Sequence, residues 1–389
     1  MVKKILLLFS SLICFLFVPL SQAHAVENPL SRPNNKIGIH ILFGSELAQA
    51  AQLINSNGGD WGYVTIPIQI TDRDKIKWQQ FMGNAKRMHV IPILRLSTEI
   101  DPANPKAWRI PTRPDIVTFT QFLHSLDWPT KNRYVIVFNE VNRGDEWGDK
   151  VNPQEYADIL SFTTTVLKSK SPDYFIISAG LDNAAPNQPP MYMNQFDYMQ
   201  QMNAAVPGIF NQIDGIASHS YSNPGFSQPP DAASSMGVAS FKFERDLAKS
   251  LSGKDLPVFI TEAGWDVNTI GTDTATTYYQ QVFDSIWNDP SIVAVTPFLL
   301  NANGGPFQKF SFITADGKPT KQYAVINGLL KTKGLPLLPP TPRVLAAETK
   351  KVRATPPPAK KEKVVEAEPE QQTFTTLMHT FIKWFIGRS

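Results

Sequence analysis

From Lys36 onward the sequence alternates short apolar runs with longer segments of helical periodicity, and it does so eight times. This repeat constrains the fold most, because alternating strands and helices have few ways to bury both kinds of element. The runs cover residues 37–43, 61–70, 90–97, 134–140, 174–181, 215–221, 258–263 and 292–301. Most are near-continuous in Val, Ile, Leu and Phe, as expected of strands covered on both faces. Between them, Leu47, Ala50, Ala51 and Ile54 fall at i, i+3, i+4 and i+7, with Ser45 placed to cap and Gly58-Gly59 to stop. Ile116, Phe119, Leu123 and Leu126 form a second stripe behind Pro114. Asn152, Pro153 and Glu155 read as a cap, a first-turn proline and an acid at the third position of another helix. Eight strands, seven intervening helices and one helix after the last make an α/β fold, a (β/α)8 TIM barrel over residues 36–335.

The flanks read differently. Lys3 and Lys4 precede an apolar stretch with only Ser10 and Ser11 to interrupt it, and Ala23-His24-Ala25 matches a small-x-small cleavage site. Residues 1–25 are therefore expected to be a signal peptide, and the protein to be exported, secreted or envelope-associated. The one cysteine, Cys14, falls inside that segment, which leaves the barrel no disulfide, thiolate ligand or thiol nucleophile. Residues 336–372 are rich in Pro, Ala, Lys and Glu and read as a disordered linker. In 373–387, Phe374, Leu377, Met378, Phe381, Ile382 and Phe385 would share one face of a short amphipathic helix. That helix is too short to span a bilayer but suits a membrane surface or a protein partner. A formal net charge of +3 is too weak a field to suggest nucleic acid.

A TIM barrel works at the C-terminal ends of its strands, so the polar residues that close those strands are the candidates. Strand four closes on Asn139-Glu140, strand six on His219-Ser220-Tyr221, and strand seven on Thr261-Glu262, followed by Ala263-Gly264-Trp265. Two glutamates would then share one mouth. Cleaving an acetal needs two carboxyl groups flanking the bond, one protonated to assist the leaving oxygen and one ionised. Neighbouring carboxylates repel, which favours that division.

The endings Val137-Phe138-Asn139-Glu140 and Ile260-Thr261-Glu262-Ala263-Gly264-Trp265 resemble those of the clan A glycoside hydrolases. These are retaining TIM-barrel glycosidases such as cellulases, mannanases, xylanases and β-glycosidases. The resemblance runs over the whole barrel. It implies Glu140 as acid/base, Glu262 as nucleophile, Asn139 on the sugar 2-hydroxyl, Tyr221 orienting the nucleophile and His219 shaping the site. The sequence departs from the clan at strand eight, where Pro297-Phe298-Leu299-Leu300-Asn301 has no tryptophan, and at strand two, where Pro67-Ile68-Gln69 has no arginine. Arg95, closing strand three, is the candidate to stand in for that arginine.

Trp61, Trp108, Trp147 and Trp265 are candidates to stack on sugar faces, with Trp265 foremost. Asp182-Asn183, after strand five, are candidates for sugar hydroxyls. His40, His89, His124 and His219 fall in different units without metal spacing, and no glycine-rich phosphate loop is present, so no metal or cofactor is implied. The expected partner is a poly- or oligosaccharide and the expected state a monomer. The alternative reading is an inactive carbohydrate-binding barrel, tethered to the envelope through its C-terminal helix.

Overall fold

The computed structural model describes residues 26–340. The expected signal peptide, the C-terminal helix and most of the linker lie outside the described residues. Eight parallel strands form the barrel: β1 (Gly38–His40), β2 (Gly62–Gln69), β3 (Val90–Ser97), β4 (Arg133–Ile136), β5 (Tyr174–Ile177), β6 (Ile216–His219), β7 (Val258–Glu262) and β8 (Ile292–Val295). β1 to β5 pair in order, as do β6 to β8. Single parallel bridges, Ile177 to Gly215 and Ile37 to Val295, join the two sheets and close the barrel.

Eight helices alternate with the strands: α1 (Leu47–Ile54), α2 (Lys75–Arg87), α3 (Arg113–His124), α4 (Pro153–Lys170), α5 (Gln195–Ala205), α6 (Ser240–Ser252), α7 (Thr272–Asp284) and α8 (Lys321–Gly328). They ring the sheet, and α8 returns to pack on α1. Among the described residues none is long and apolar enough to cross a membrane. The α4 start is as expected, with the Asn152 side chain accepting from Glu155 N at 3.2 Å. At α1 the expectation for Ser45 is corrected. Ser45 lies inside a 3-10 turn, and the Glu46 carboxylate accepts from the N–H groups of Leu42 and Phe43, each at 2.8 Å.

Strand periodicity sorts the core into two layers. Val64, Leu94, Val135, Ile176 and Ile260 face the helices. Tyr63, Ile93, Tyr134, Phe175, Ala217 and Phe259 fill the barrel interior. Gly38 is required at that inner level, because a Cβ there would lie 2.6 Å from both Thr296 Cγ2 and Tyr63 O. Above this plug the interior turns polar, beginning with a Thr65–Thr296 hydroxyl contact at 2.9 Å. The lower end is sealed by both flanks of the barrel. Asn34 donates to Val293 O at 2.6 Å, and Lys131 N donates to Leu337 O at 2.7 Å.

Candidate active site

Counting in twos along the inward face carries the chain from plug to site. Arg95 follows Ile93, and His219 follows Ala217. On β7 the same count would turn Glu262 outward with Ile260. A bulge intervenes: Ser218 pairs with Ile260 but His219 with Glu262, so Thr261 is passed over and Glu262 faces inward. On the β4 side the ladder ends at Ile136, and Phe138 and Glu140 adopt left-handed backbone at φ 69° and 34°. Such conformations cost non-glycine residues on the order of 1 kcal/mol or more each and gather at functional sites. Glu140 N donates to Gly180 O at 2.9 Å, and Tyr156 of α4 bonds both Val137 O and Ala179 N, pinning the ends of β4 and β5. Gly180 leaves room for the His219 ring, since a Cβ there would lie 2.3 Å from its Cδ2.

The result is one buried cluster. An oxygen of Glu140, a ring nitrogen of His219 and an oxygen of Glu262 all lie within 4.8 Å of one another. His219 Nδ1 is 3.0 Å from Glu140 Oε1 and 3.8 Å from Glu262 Oε2. Glu262 accepts from Arg95 through Oε1 and from the Tyr221 hydroxyl through Oε2 at 3.0 Å. Arg95 also donates to Asn139 Oδ1 at 2.7 Å. On the other flank Arg143 stands 3.6 Å from Glu140 Oε2 while donating to Asp182 at 3.0 Å and Asp145 at 2.7 Å.

Burial pushes the Glu262 carboxyl up, but His219, Arg95 and the Tyr221 hydroxyl together hold it below the usual glutamate range. Burial lowers the His219 imidazole, but the charges of Glu262 and Glu140 outweigh it and leave it raised. The three ligand atoms are close enough for a metal ion, but Arg95 on Glu262 and Arg143 beside Glu140 already bring positive charge to both carboxylates, which opposes a cation.

No protein-family model matches the sequence, and no curated protein matches it. Among solved structures, a family 39 glycoside hydrolase from the gut symbiont Bacteroides cellulosilyticus WH2 aligns with a TM-score of 0.55 at 16% identity, over 78% of this chain and 65% of that one. A GH39 β-xylosidase from Caulobacter crescentus gives 0.53 at 14% identity, over 78% and 72%. A GH5_18 variant from Streptomyces cattleya, in complex with Manβ1-4GlcNAc, gives 0.54 at 14% identity, over 76% and 80%. The chain has the fold of these glycoside hydrolases. At such identities the likeness establishes the fold alone, and the chain spans just under two thirds of the first of them. What this glycosidase-fold barrel does rests on its own site.

Glu140, Glu262, Asn139, His219, Tyr221 and Arg95 are brought together. Trp265 is not, and its expected place under a sugar is corrected. Its ring is fully buried between Tyr279 and Trp287, with ring centroids at 4.9 and 6.2 Å, and its Nε1 donates to Gln228 O at 2.8 Å. Trp147 is likewise core, edge-on to Phe138 and Tyr156. Trp61 stacks on His89 at the closed lower end. Trp108 alone of the four remains half-buried, on the hairpin of Ile100–Asp101 and Asn104–Trp108 that follows β3. Asp182 and Asn183 are occupied by Arg143 and by Tyr221 O, so they brace the site. Two members of the cluster were not singled out from sequence. His40 closes β1 just as His219 closes β6, but the apolar run at 37–43 places it mid-strand in the sequence. Arg143 carries no such signal, since its approach to Glu140 depends on the turn in which Arg143 N donates to Glu140 O at 2.9 Å.

Proposed function

We propose that the protein is a retaining glycoside hydrolase that cleaves a poly- or oligosaccharide by double displacement. One observation carries this reading: an oxygen of Glu140 lies within 4.8 Å of an oxygen of Glu262. Carboxyl oxygens this close favour the roughly 5–5.5 Å arrangement of retaining enzymes over the about 6.5–9.5 Å of inverting ones. Glu262, held ionised by Arg95 and Tyr221, attacks the anomeric carbon. Glu140 passes its proton to the departing glycosidic oxygen as that carbon–oxygen bond breaks. Glu140 then takes a proton from water, whose oxygen displaces Glu262 from the same carbon. Asn139, its Oδ1 fixed by Arg95, offers its amide N–H groups to the sugar 2-hydroxyl. The leader-like residues 1–25 support an exported enzyme.

The test is release of reducing sugar from β-linked glucans, mannans, xylans and galactans by the full chain, by Glu140→Ala and by Glu262→Ala. Cleavage of one polymer, lost in both variants, is the expected result. Saccharide binding without turnover, unchanged in both variants, would replace this reading with the carbohydrate-binding barrel.

The electrostatics give a pH prediction. Because Glu262 lies below its ordinary value of 4.5, the acid limb of kcat/KM falls below pH 4.5. Arg95→Met removes a cation bonded to it and moves that limb upward by about one pH unit or more. An unmoved acid limb in Arg95→Met would remove Glu262 as the group that sets it.

A further inference from the structure

We propose that His40 is a specificity-determining residue that binds one ring hydroxyl of the saccharide held against Glu262. This rests on the glycosidase reading above. His40 is locked in place by its backbone, with its N donating to Pro297 O at 3.1 Å and its O accepting from Leu300 N at 2.8 Å. The side chain is fully buried, yet neither Nδ1 nor Nε2 has a hydrogen-bond partner among the described residues. The Phe298 ring walls one side at 5.1 Å.

An unsatisfied buried polar atom is destabilising, so an imidazole with two of them is a poor packing element. It is well suited to a ligand that brings both a donor and an acceptor. Burial, and then the charges of Arg95 and His219, hold His40 well below the usual histidine range, so the ring is neutral, with one N–H and one lone pair. A hydroxyl is the complementary group. Its reach is set by Glu262, because His40 Nε2 lies 3.9 Å from Glu262 Oε1. That is too long for a direct hydrogen bond, and two atoms this far apart can both bond a single bridging hydroxyl oxygen at about 2.8 Å. Glu140 Oε2 is likewise buried without a hydrogen bond, and Glu140 and His40 both stand beside Glu262.

The experiment is a cycle between substrate hydroxyls and the side chain. Full-length protein is assayed on para-nitrophenyl β-glycosides of glucose, mannose, xylose, galactose and their β-1,4-linked disaccharides. The monodeoxy analogues of whichever is cleaved follow. In the wild type, one deoxy position is expected to lower kcat/KM by roughly 100-fold, because the ring is then left unpaired. His40→Phe loses a similar factor on the parent glycoside but loses nothing further at that one position, while the other deoxy positions keep their full penalties. His40→Gln, which retains a donor and an acceptor, regains part of the loss, and it carries the same cycle if His40→Phe fails to fold. Parent turnover by His40→Phe within about two-fold of wild type overturns the assignment. Penalties that multiply independently at every position do so too, as a merely structural or water-filled site would give. Turnover without this coupling removes only the role of His40. Absence of Glu262-dependent turnover on every glycoside removes the glycosidase reading and this inference with it.

Discussion

Glu262→Ala is expected to lose turnover by at least about 10⁴-fold on every glycoside, whatever its leaving group. Glu140→Ala is expected to lose about 10²–10⁴-fold on natural saccharides and far less on dinitrophenyl glycosides. The asymmetry follows from the role proposed for each carboxyl. A dinitrophenolate departs without a proton, so the first step no longer needs Glu140. A glycosyl–Glu262 ester then accumulates, because no base remains to activate water. A burst of dinitrophenol followed by a slow steady rate is the signature. Azide, which needs no base, should accelerate that slow phase in Glu140→Ala and give a glycosyl azide of retained configuration. In Glu262→Ala azide can only take the place of the missing nucleophile, and the azide product is inverted. The positions of the two groups support this assignment: Arg95 and Tyr221 bond Glu262, whereas Glu140 meets His219 through Oε1 and has no hydrogen bond on Oε2. If both variants kept the burst, or azide gave the same anomer from each, the assigned roles would be wrong.

The fold was legible because its signal is periodic. Apolar runs and helical stripes recur along the chain, and every strand and helix expected from them is present. Strand ends were less legible. The run at 134–140 looks continuous, yet its ladder stops at Ile136, because Phe138 and Glu140 turn left-handed. No residue type there announces it. Glu262 was found by position, although strict alternation would have aimed it at the helices and a bulge at Thr261 corrects its direction. Trp265 misled because a tryptophan next to a site residue carries the same signal whether it faces a sugar or the core. Which one applies depends on Tyr279 and Trp287, distant in sequence and joined only by the fold. Arg143 was silent for a similar reason. It lies three residues past Glu140 in a non-helical segment, where spacing predicts no contact.

A second large effect concerns stability and lies behind the site. Glu244 on α6 is buried, lining a small cavity with Tyr156, Ala179, Met199, Phe210 and Ile216, beside the Ser218 and Ser240 hydroxyls. Its Oε1 has no hydrogen-bond partner. Burial pushes its carboxyl up from 4.5 to about 7, against smaller opposing pulls from Ser218, His219 and Ser240. The folded state therefore keeps a proton that the unfolded chain releases near pH 4.5. Stability is unaffected below that pH, falls as pH rises toward 7, and levels off above it, for a total on the order of 3 kcal/mol. Glu244→Gln keeps the shape and removes the ionisation. At pH 8 the variant should be more stable than wild type by about 2–3 kcal/mol, and at pH 4.5 the two should nearly coincide. His219 and Glu146, the latter raised to about 8 first by burial and then by Asp145 and Glu140, also lose stabilising protons as pH rises. For that reason the measurement is the difference between wild type and Glu244→Gln in urea unfolding at each pH, in which those shared contributions cancel. Equal pH slopes for the two proteins between pH 5 and 8 would mean that burial does not raise the Glu244 carboxyl in the folded state.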